Sequence, residues 1–208
     1  MVPHIVDLIA VGVFAVSGCL AAGRKHLDLV GVFVIAVVSA VGGGTLRDLL
    51  LNRHPIAWID DPAYLYIILG AVAATFVVFR GHRPPRVLFL LADGVGLSLY
   101  SIAGAYTAEQ CGKGGIVAVM MGTMTATAGG VIRDTLCNDV PLLLKGKYLY
   151  ASAAMSGAGC YVALEALGVP QWWAAALGMG VVATLRIGSI LNEWTLPVLK
   201  IDDEWKGI

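Results

Sequence analysis

Six of the charged residues inside the apolar stretches of this chain fall in two matched sets of three. Gly42-Gly43-Gly44-Thr45-Leu46-Arg47-Asp48 returns 86 positions later as Ala128-Gly129-Gly130-Val131-Ile132-Arg133-Asp134. The same spacing carries Asp7 onto Asp93, Gly18 onto Gly104, Asn52 onto Asn138 and Pro55 onto Pro141. Convergent use of glycine in membrane helices would explain the glycines but not the matched Arg-Asp, Asn and Pro. A charge at membrane depth costs roughly 2.5–3.5 kcal/mol even on lenient insertion scales, so both sets need a task.

Consecutive glycines weaken a helix and permit either a break or a close backbone approach. A break would leave the first half-helix ending in free carbonyls, which are hard oxygen ligands suited to a partly dehydrated alkali cation. The alternative is helix–helix packing, in which glycine lets two backbones touch. With Arg-Asp behind the glycines in both copies, the break is the reading preferred here. Adjacent residues do not face each other on a helix, so each Arg47, Asp48, Arg133 and Asp134 is expected to find its partner on another helix. Thr45 to Asp48 also resembles a capping box, with Asp48 answering the positive end of a second half-helix. Capping and interhelical pairing are preferred to direct cation binding by the aspartates.

Asp7 and Asp93 stand as partners for the motif arginines, with rimming of two pore mouths as the other reading. Ser39 precedes the first glycine run, and Thr123, Thr125 and Thr127 precede the second. Their hydroxyls could line a pore or could bond carbonyls one turn earlier. Met120, Met121, Met124 and Phe33 could form an apolar constriction, with packing as the plainer reading. Arg186 is expected to snorkel to the cytoplasmic interface, and Arg83, Arg86 and Lys113 read as interfacial anchors.

The elements that must position these groups follow from composition. The chain has 208 residues, 58% of them hydrophobic and 13% charged, with mean hydropathy +0.81. Soluble domains carry roughly 45–50% apolar and about 25% charged residues, so the surplus here must face lipid. Fourteen basic against fourteen acidic side chains leave no surplus for nucleic acid, and no soluble partner is implied. Seven segments are long and apolar enough to span a bilayer: about 5–23, 29–52, 63–80, 86–107, 114–138, 147–168 and 171–191. Short turn-forming gaps separate them, so the expectation is one all-α membrane domain over 1–208. Repeat one covers about 5–82, repeat two about 86–168, the seventh helix about 171–191 and a short tail 192–208.

Three spans per copy turn the second copy upside down, giving an inverted repeat about an axis in the membrane plane. Arg24, Lys25, Arg80, Arg83, Arg86, Lys145, Lys147, Lys200 and Lys206 fall at one membrane face, against Arg53 and Lys113 at the other. That bias puts the C-terminus in the cytoplasm and the N-terminus outside. The N-terminus lacks the basic lead-in of a cleavable signal, so the first span is read as retained. The four cysteines have no metal or disulfide spacing and read as small apolar filler. The histidines, His4, His26, His54 and His82, fall near loops or ends. Neither a nucleophile–base pair nor a tight metal site is present in the pattern, which argues against an enzyme.

Two three-helix repeats, a Gly-Gly-Gly-x-x-Arg-Asp motif in the second and fifth spans and a seventh helix resemble the prokaryotic trimeric intracellular cation (TRIC) channels. The resemblance covers roughly 1–195. Related bacterial proteins are also grouped under a name denoting a glycine transporter. The resemblance implies a homotrimer in the cell membrane with one pore per protomer and kinks at Gly42, Gly43, Gly44, Gly129 and Gly130. It also implies permeation of potassium, with sodium as a second candidate, and no cofactor. The lining would then include Ser39, Thr123 and Thr127, with Arg47, Asp48, Arg133, Asp134, Asp7 and Asp93 supporting the kinks. Ala128 departs from the glycine pattern and leaves open whether both kinks are equally deep. A secondary transporter of a small zwitterion such as glycine fits inverted repeats and broken helices equally well.

Overall fold

The computed structural model describes residues 4–81, 84–145, 149–192, 194, 195 and 197. Arg83, Lys147, Lys200, Lys206 and nearly all of the tail 192–208 lie outside the described residues. Those described form eight α-helices, one 3-10 turn and no strand. The helices are α1 (His4–Arg24), α2 (Leu29–Leu50), the single-turn α3 (Ala57–Asp60), α4 (Ala63–Val78), α5 (Arg86–Gln110) and α6 (Ile116–Leu136). The 3-10 turn Leu142–Leu144 follows, then α7 (Ala151–Ala166) and α8 (Gln171–Asn192).

Each apolar segment read from the sequence coincides with one helix. Five of them, α1, α2, α5, α6 and α8, are long and apolar enough to cross a membrane. At 16 residues each, α4 and α7 are shorter than the segments expected at 63–80 and 147–168. They rise about 24 Å at 1.5 Å per residue. Helix α7 begins at Ala151, directly after the buried Tyr150.

The bundle is apolar outside, and its largely apolar interior encloses buried charges. Leu29, Val30, Tyr66, Phe76, Val77, Ile116 and Trp172 are exposed, whereas Arg47, Asp48, Asp93, Arg133, Asp134 and Arg186 are buried. An apolar exterior of this kind has its counterpart in lipid, and a buried charge needs a partner.

Helices α2 and α6 end alike. Asn52 and Asn138 take left-handed φ of 51° and 52°, a conformation asparagine tolerates better than most residues. The amide of Arg53 then donates to the Asp48 carbonyl at 2.8 Å, and that of Asp139 to the Asp134 carbonyl at 2.9 Å. This closing turn accounts for the repeated asparagine and sends each chain back toward the bundle. The starts of α1 and α4 and the ends of α2, α5 and α7 gather at one end. The starts of α2, α5 and α7 and the end of α6 gather at the other. His4 pairs with Asp61 across the first end, and Lys25 with Asp139 across the second.

The expected break at the glycine runs is not present. Both α2 and α6 continue through them, so the motif carbonyls are not released by a helix end. The glycines instead allow the two helices to cross in contact. A Cβ on Gly43 would strike the Thr125 carbonyl, and one on Gly129 would strike the Ser39 carbonyl. Ser39 and Thr125 are themselves 86 apart, so the contact is reciprocal. Phe14 and Tyr100, another pair at that spacing, stack with centroids 5.4 Å apart. A helix can meet its neighbour this closely only where side chains are missing, which is why the motif needs glycine without needing a break.

Candidate functional site

Each end of the bundle holds one charge cluster built on the same plan. At the α1 N-terminal end, Arg47 Nε donates to Asp48 Oδ1 at 2.9 Å, and Arg47 Nη1 lies 4.0 Å from Asp7 Oδ1. The Tyr64 hydroxyl donates to Asp7 Oδ2 at 2.6 Å. At the other end, Arg133 Nε donates to Asp134 Oδ1 at 2.8 Å, and Arg133 Nη1 donates to both Asp93 Oδ1 (2.8 Å) and Ser17 Oγ (2.6 Å). The Tyr150 hydroxyl donates to Asp93 Oδ1 at 3.2 Å. The Arg133 guanidinium also stands over Phe89, 4.7 Å from the ring centroid.

The adjacent Arg and Asp of each motif therefore do pair, contrary to the expectation that helix neighbours cannot. Their Cβ atoms diverge by about 100°, but arginine is long enough to curl its Nε back while its terminal nitrogens reach another helix. The second oxygen of each motif aspartate also has a use. Asp48 Oδ2 accepts from the Ala57 amide at 3.2 Å, and Asp134 Oδ2 from the Leu142 amide at 2.8 Å. Each carboxylate thus holds the first turn of the short helix that follows, α3 or the 3-10 turn. It does not cap a second half of its own helix. Thr45 is likewise no cap: its hydroxyl donates to the Val41 carbonyl and accepts from Trp58 Nε1.

Arg186 does not snorkel. It is fully buried, with Nη2 3.4 Å from Asp93 Oδ2, Nη1 donating to the Leu149 carbonyl at 3.2 Å, and its guanidinium 4.8 Å from the Tyr150 centroid. Ala174, Gly178, Val182 and Arg186, spaced by four, form the buried face of α8 and turn the arginine inward.

Ser39, Thr123, Thr125 and Thr127 each donate to the carbonyl four residues earlier, at 2.6–2.8 Å. The glycines divide their work. Gly43 and Gly129 make the helix crossing, and Gly42 packs on Ile132. Gly44 and its counterpart Gly130 face the clusters, toward Arg47 Nη2 and toward Tyr150 and Arg133 respectively. The sequence reading missed Tyr64, Tyr150, Tyr100 and Ser17. The signal was available for the tyrosines, since Tyr64 and Tyr150 share the 86-residue spacing.

Cavities reach both clusters. One of about 170 Å³ is lined by Asp7, Arg47, Arg53, Tyr64 and Tyr106, and a void of about 10 Å³ lies deeper against Gly44, Asp48 and Tyr100. The opposite cavity, about 350 Å³, is lined by Arg24, Lys25, Arg86, Phe89, Asp134 and Asp139. Among the described residues, no three His, Cys, Asp or Glu side chains are grouped for a metal.

The model of a family described as "Glycine transporter" matches residues 4–80 and again 90–166, the same two copies seen from the 86-residue spacing. The UPF0126 inner membrane protein YadS of Escherichia coli K12 is 35% identical over 205 residues, covering 98% of this chain and 99% of its own. The TRIC channel orthologue from Rhodobacter sphaeroides superposes with a TM-score of 0.85 at 38% identity, over 90% of this chain and 97% of that one. A second TRIC cation channel structure gives 0.84 at 35% identity over 97% and 99%. Likeness of this extent, in sequence and in backbone together, places the chain in the TRIC channel family.

Proposed function

We propose that this protein is a potassium-permeable monovalent cation channel, with sodium as a second permeant ion, rather than an enzyme. The observation that carries the reading is the pair of cavities entering from opposite ends, each reaching an Arg–Asp cluster on either side of the α2–α6 crossing. A path joining them runs along α2 and α6, past Ser39, Gly42, Gly43, Gly44, Thr123, Thr127, Gly129 and Gly130. Because the motif carbonyls stay within helices, side-chain oxygens matter more than free carbonyls. A hydroxyl that donates to a backbone carbonyl keeps lone pairs for a passing cation.

The seven helices that match the apolar segments, the shorter α4 and α7 included, are taken as seven spans in two inverted three-helix repeats. The reciprocal contacts of Gly43 with Thr125 and Gly129 with Ser39 support this, since equivalent positions meet in this way about a two-fold axis. The assembly is a homotrimer in the bacterial inner membrane, N-terminus outside and C-terminus cytoplasmic. The TRIC relatives and the basic bias of one face support that placement.

The test is reconstitution in planar bilayers under a potassium gradient with no amino acid present. Unit steps reversing near the potassium equilibrium potential are the expected result, and silence overturns it. A glycine transporter is the second reading, favoured by a cavity that sets Asp7 beside Arg47 and Arg53, opposite charges for the two ends of a zwitterion. Saturable uptake of labelled glycine into liposomes with silent bilayers would select it.

A further inference from the structure

We infer that the cavity between α1, α2 and α4, at the Lys25–Asp139 end of the bundle, holds one anionic phospholipid. Its phosphate would lie at Arg24 and Arg80, and one acyl chain along Leu20, Val72 and Phe76. The occupancy of this site does not depend on the channel reading.

The cavity measures about 600 Å³, within the roughly 300–1,000 Å³ usual for ligand sites. Its walls are apolar, built from Leu20, Leu27, Val32, Val72, Phe76 and Phe79. Arg24, His26 and Arg80 join the lining where α1 and α4 end, and all three are exposed. No acidic side chain is among the lining residues. Asp28, the acid of the same turn, is taken up in capping α2, accepting from the Gly31 amide at 2.7 Å. Arg24 also borders the cavity at Asp134, with its guanidinium 5.8 Å from the Phe89 centroid. The lining is therefore positive at one end and apolar along the rest. Phe76 is 57% exposed and carries the wall onto the apolar exterior at Val77 and Val78. An occupant that matches needs an anion at the interface and a hydrocarbon chain below it. Basic pockets between membrane helices hold phospholipid headgroups on the same principle.

The second copy shows the same cleft closed. Moved by 86 positions, Cys19, Val32, Val72 and Thr75 become Ala105, Ala118, Ala158 and Tyr161, which pack into one buried cluster. Tyr161 fills the space and donates to Glu109 Oε2 at 2.8 Å. Glu109 stands where the first copy has Gly23, and the two arginines have Gln110 and Ala166 as counterparts. Opening the cleft and charging its rim thus occur together, in the first copy and not in the second.

Dioleoyl phosphatidylglycerol is titrated against the purified protein in detergent, and retained lipid is counted by native mass spectrometry, with dioleoyl phosphatidylcholine as the neutral comparison. One phosphatidylglycerol per chain is expected, bound in preference to phosphatidylcholine. Each arginine should contribute about fivefold, so Arg24→Gln with Arg80→Ala, the residues of the second copy, weakens binding about thirtyfold. Lys113→Gln, at the far end, leaves it unchanged. Gly23→Leu tests the chain. A Cβ there meets nothing within 4 Å, so the variant folds, and its side chain takes up cavity space while both arginines stay. Retention should fall at least about tenfold. Equal binding by wild type and the double variant, equal binding of the two lipids, or unaltered binding in Gly23→Leu overturns the proposal. Glycerol phosphate, the headgroup without its chains, should not compete at equal concentration. If it displaces the lipid, the site takes a free anion and the phospholipid assignment fails.

Discussion

Gly43 and Gly44 are neighbours in one helix, yet alanine should act on them in opposite directions. A Cβ on Gly43 falls 3.1 Å from the Thr125 carbonyl carbon and closer still to its oxygen, and that group is backbone that cannot rotate away. Overpacking typically costs about 1–3 kcal/mol, and a backbone clash between two helices belongs at the top of that range. Alanine recovers about 1 kcal/mol of helix propensity, which leaves Gly43→Ala destabilised by about 2 kcal/mol. A Cβ on Gly44 has its nearest outside atom, Arg47 Nη2, at 3.8 Å, an ordinary contact. Gly44→Ala should therefore gain about 1 kcal/mol. For a chain of this size about 2–4 °C accompanies each kcal/mol, so Gly43→Ala should melt about 4–8 °C lower and Gly44→Ala about 2–4 °C higher. Thermal unfolding in detergent, followed by tryptophan fluorescence, reads both. Potassium flux should fall in Gly44→Ala despite its stability, because the methyl enters a void of about 10 Å³, room for about one water. A Gly43→Ala protein as stable as wild type would refute the assignment of that glycine to the crossing.

Arg186→Leu leaves Asp93 with Arg133 alone, and breaking a buried pair costs about 3–5 kcal/mol; the double variant with Asp93→Asn should recover more than half of the lost melting temperature. Lys25→Met removes an ion pair to Asp139 that is one-third to one-half exposed, so chemical unfolding should register less than about 1 kcal/mol. Ser39→Ala loses only a hydroxyl bonded to the Ile35 carbonyl, about 1 kcal/mol at most, while unit conductance at low potassium should drop; an unchanged conductance would take Ser39 out of the pathway.

The helices were legible because their apolar runs are long and their gaps carry strong turn residues, and the doubled cluster was legible because one register links charges far apart in an apolar chain. The use of the glycines was not. A glycine run serves a break or a crossing equally well, and only the helix opposite decides, here through the Thr125 and Ser39 carbonyls. The adjacent Arg-Asp pairing was missed because Cβ directions were weighed without the reach of arginine. Arg186 was read by its distance from the end of the span, although small residues at every fourth position of α8 already marked that face as buried.

The two halves share a scaffold and have diverged in how it is finished. Ser17, from the first copy, accepts a hydrogen bond from Arg133 in the second; its counterpart at position 103 is alanine, which offers Arg47 nothing. Position 53 is arginine, bound toward Asp48, and its counterpart Asp139 reaches instead for Lys25. Helix α8 adds a second guanidinium to one aspartate and none to the other. The Ser17 and α8 contacts tighten the Asp93 end, whereas Arg53 gives the Asp7 end its second guanidinium. Both clusters therefore hold two aspartates and two arginines, but the second guanidinium meets Asp48 at one end and Asp93 at the other. Opening the Asp93 end means separating fully buried charges, which costs more than parting the half-exposed Arg53 from Asp48.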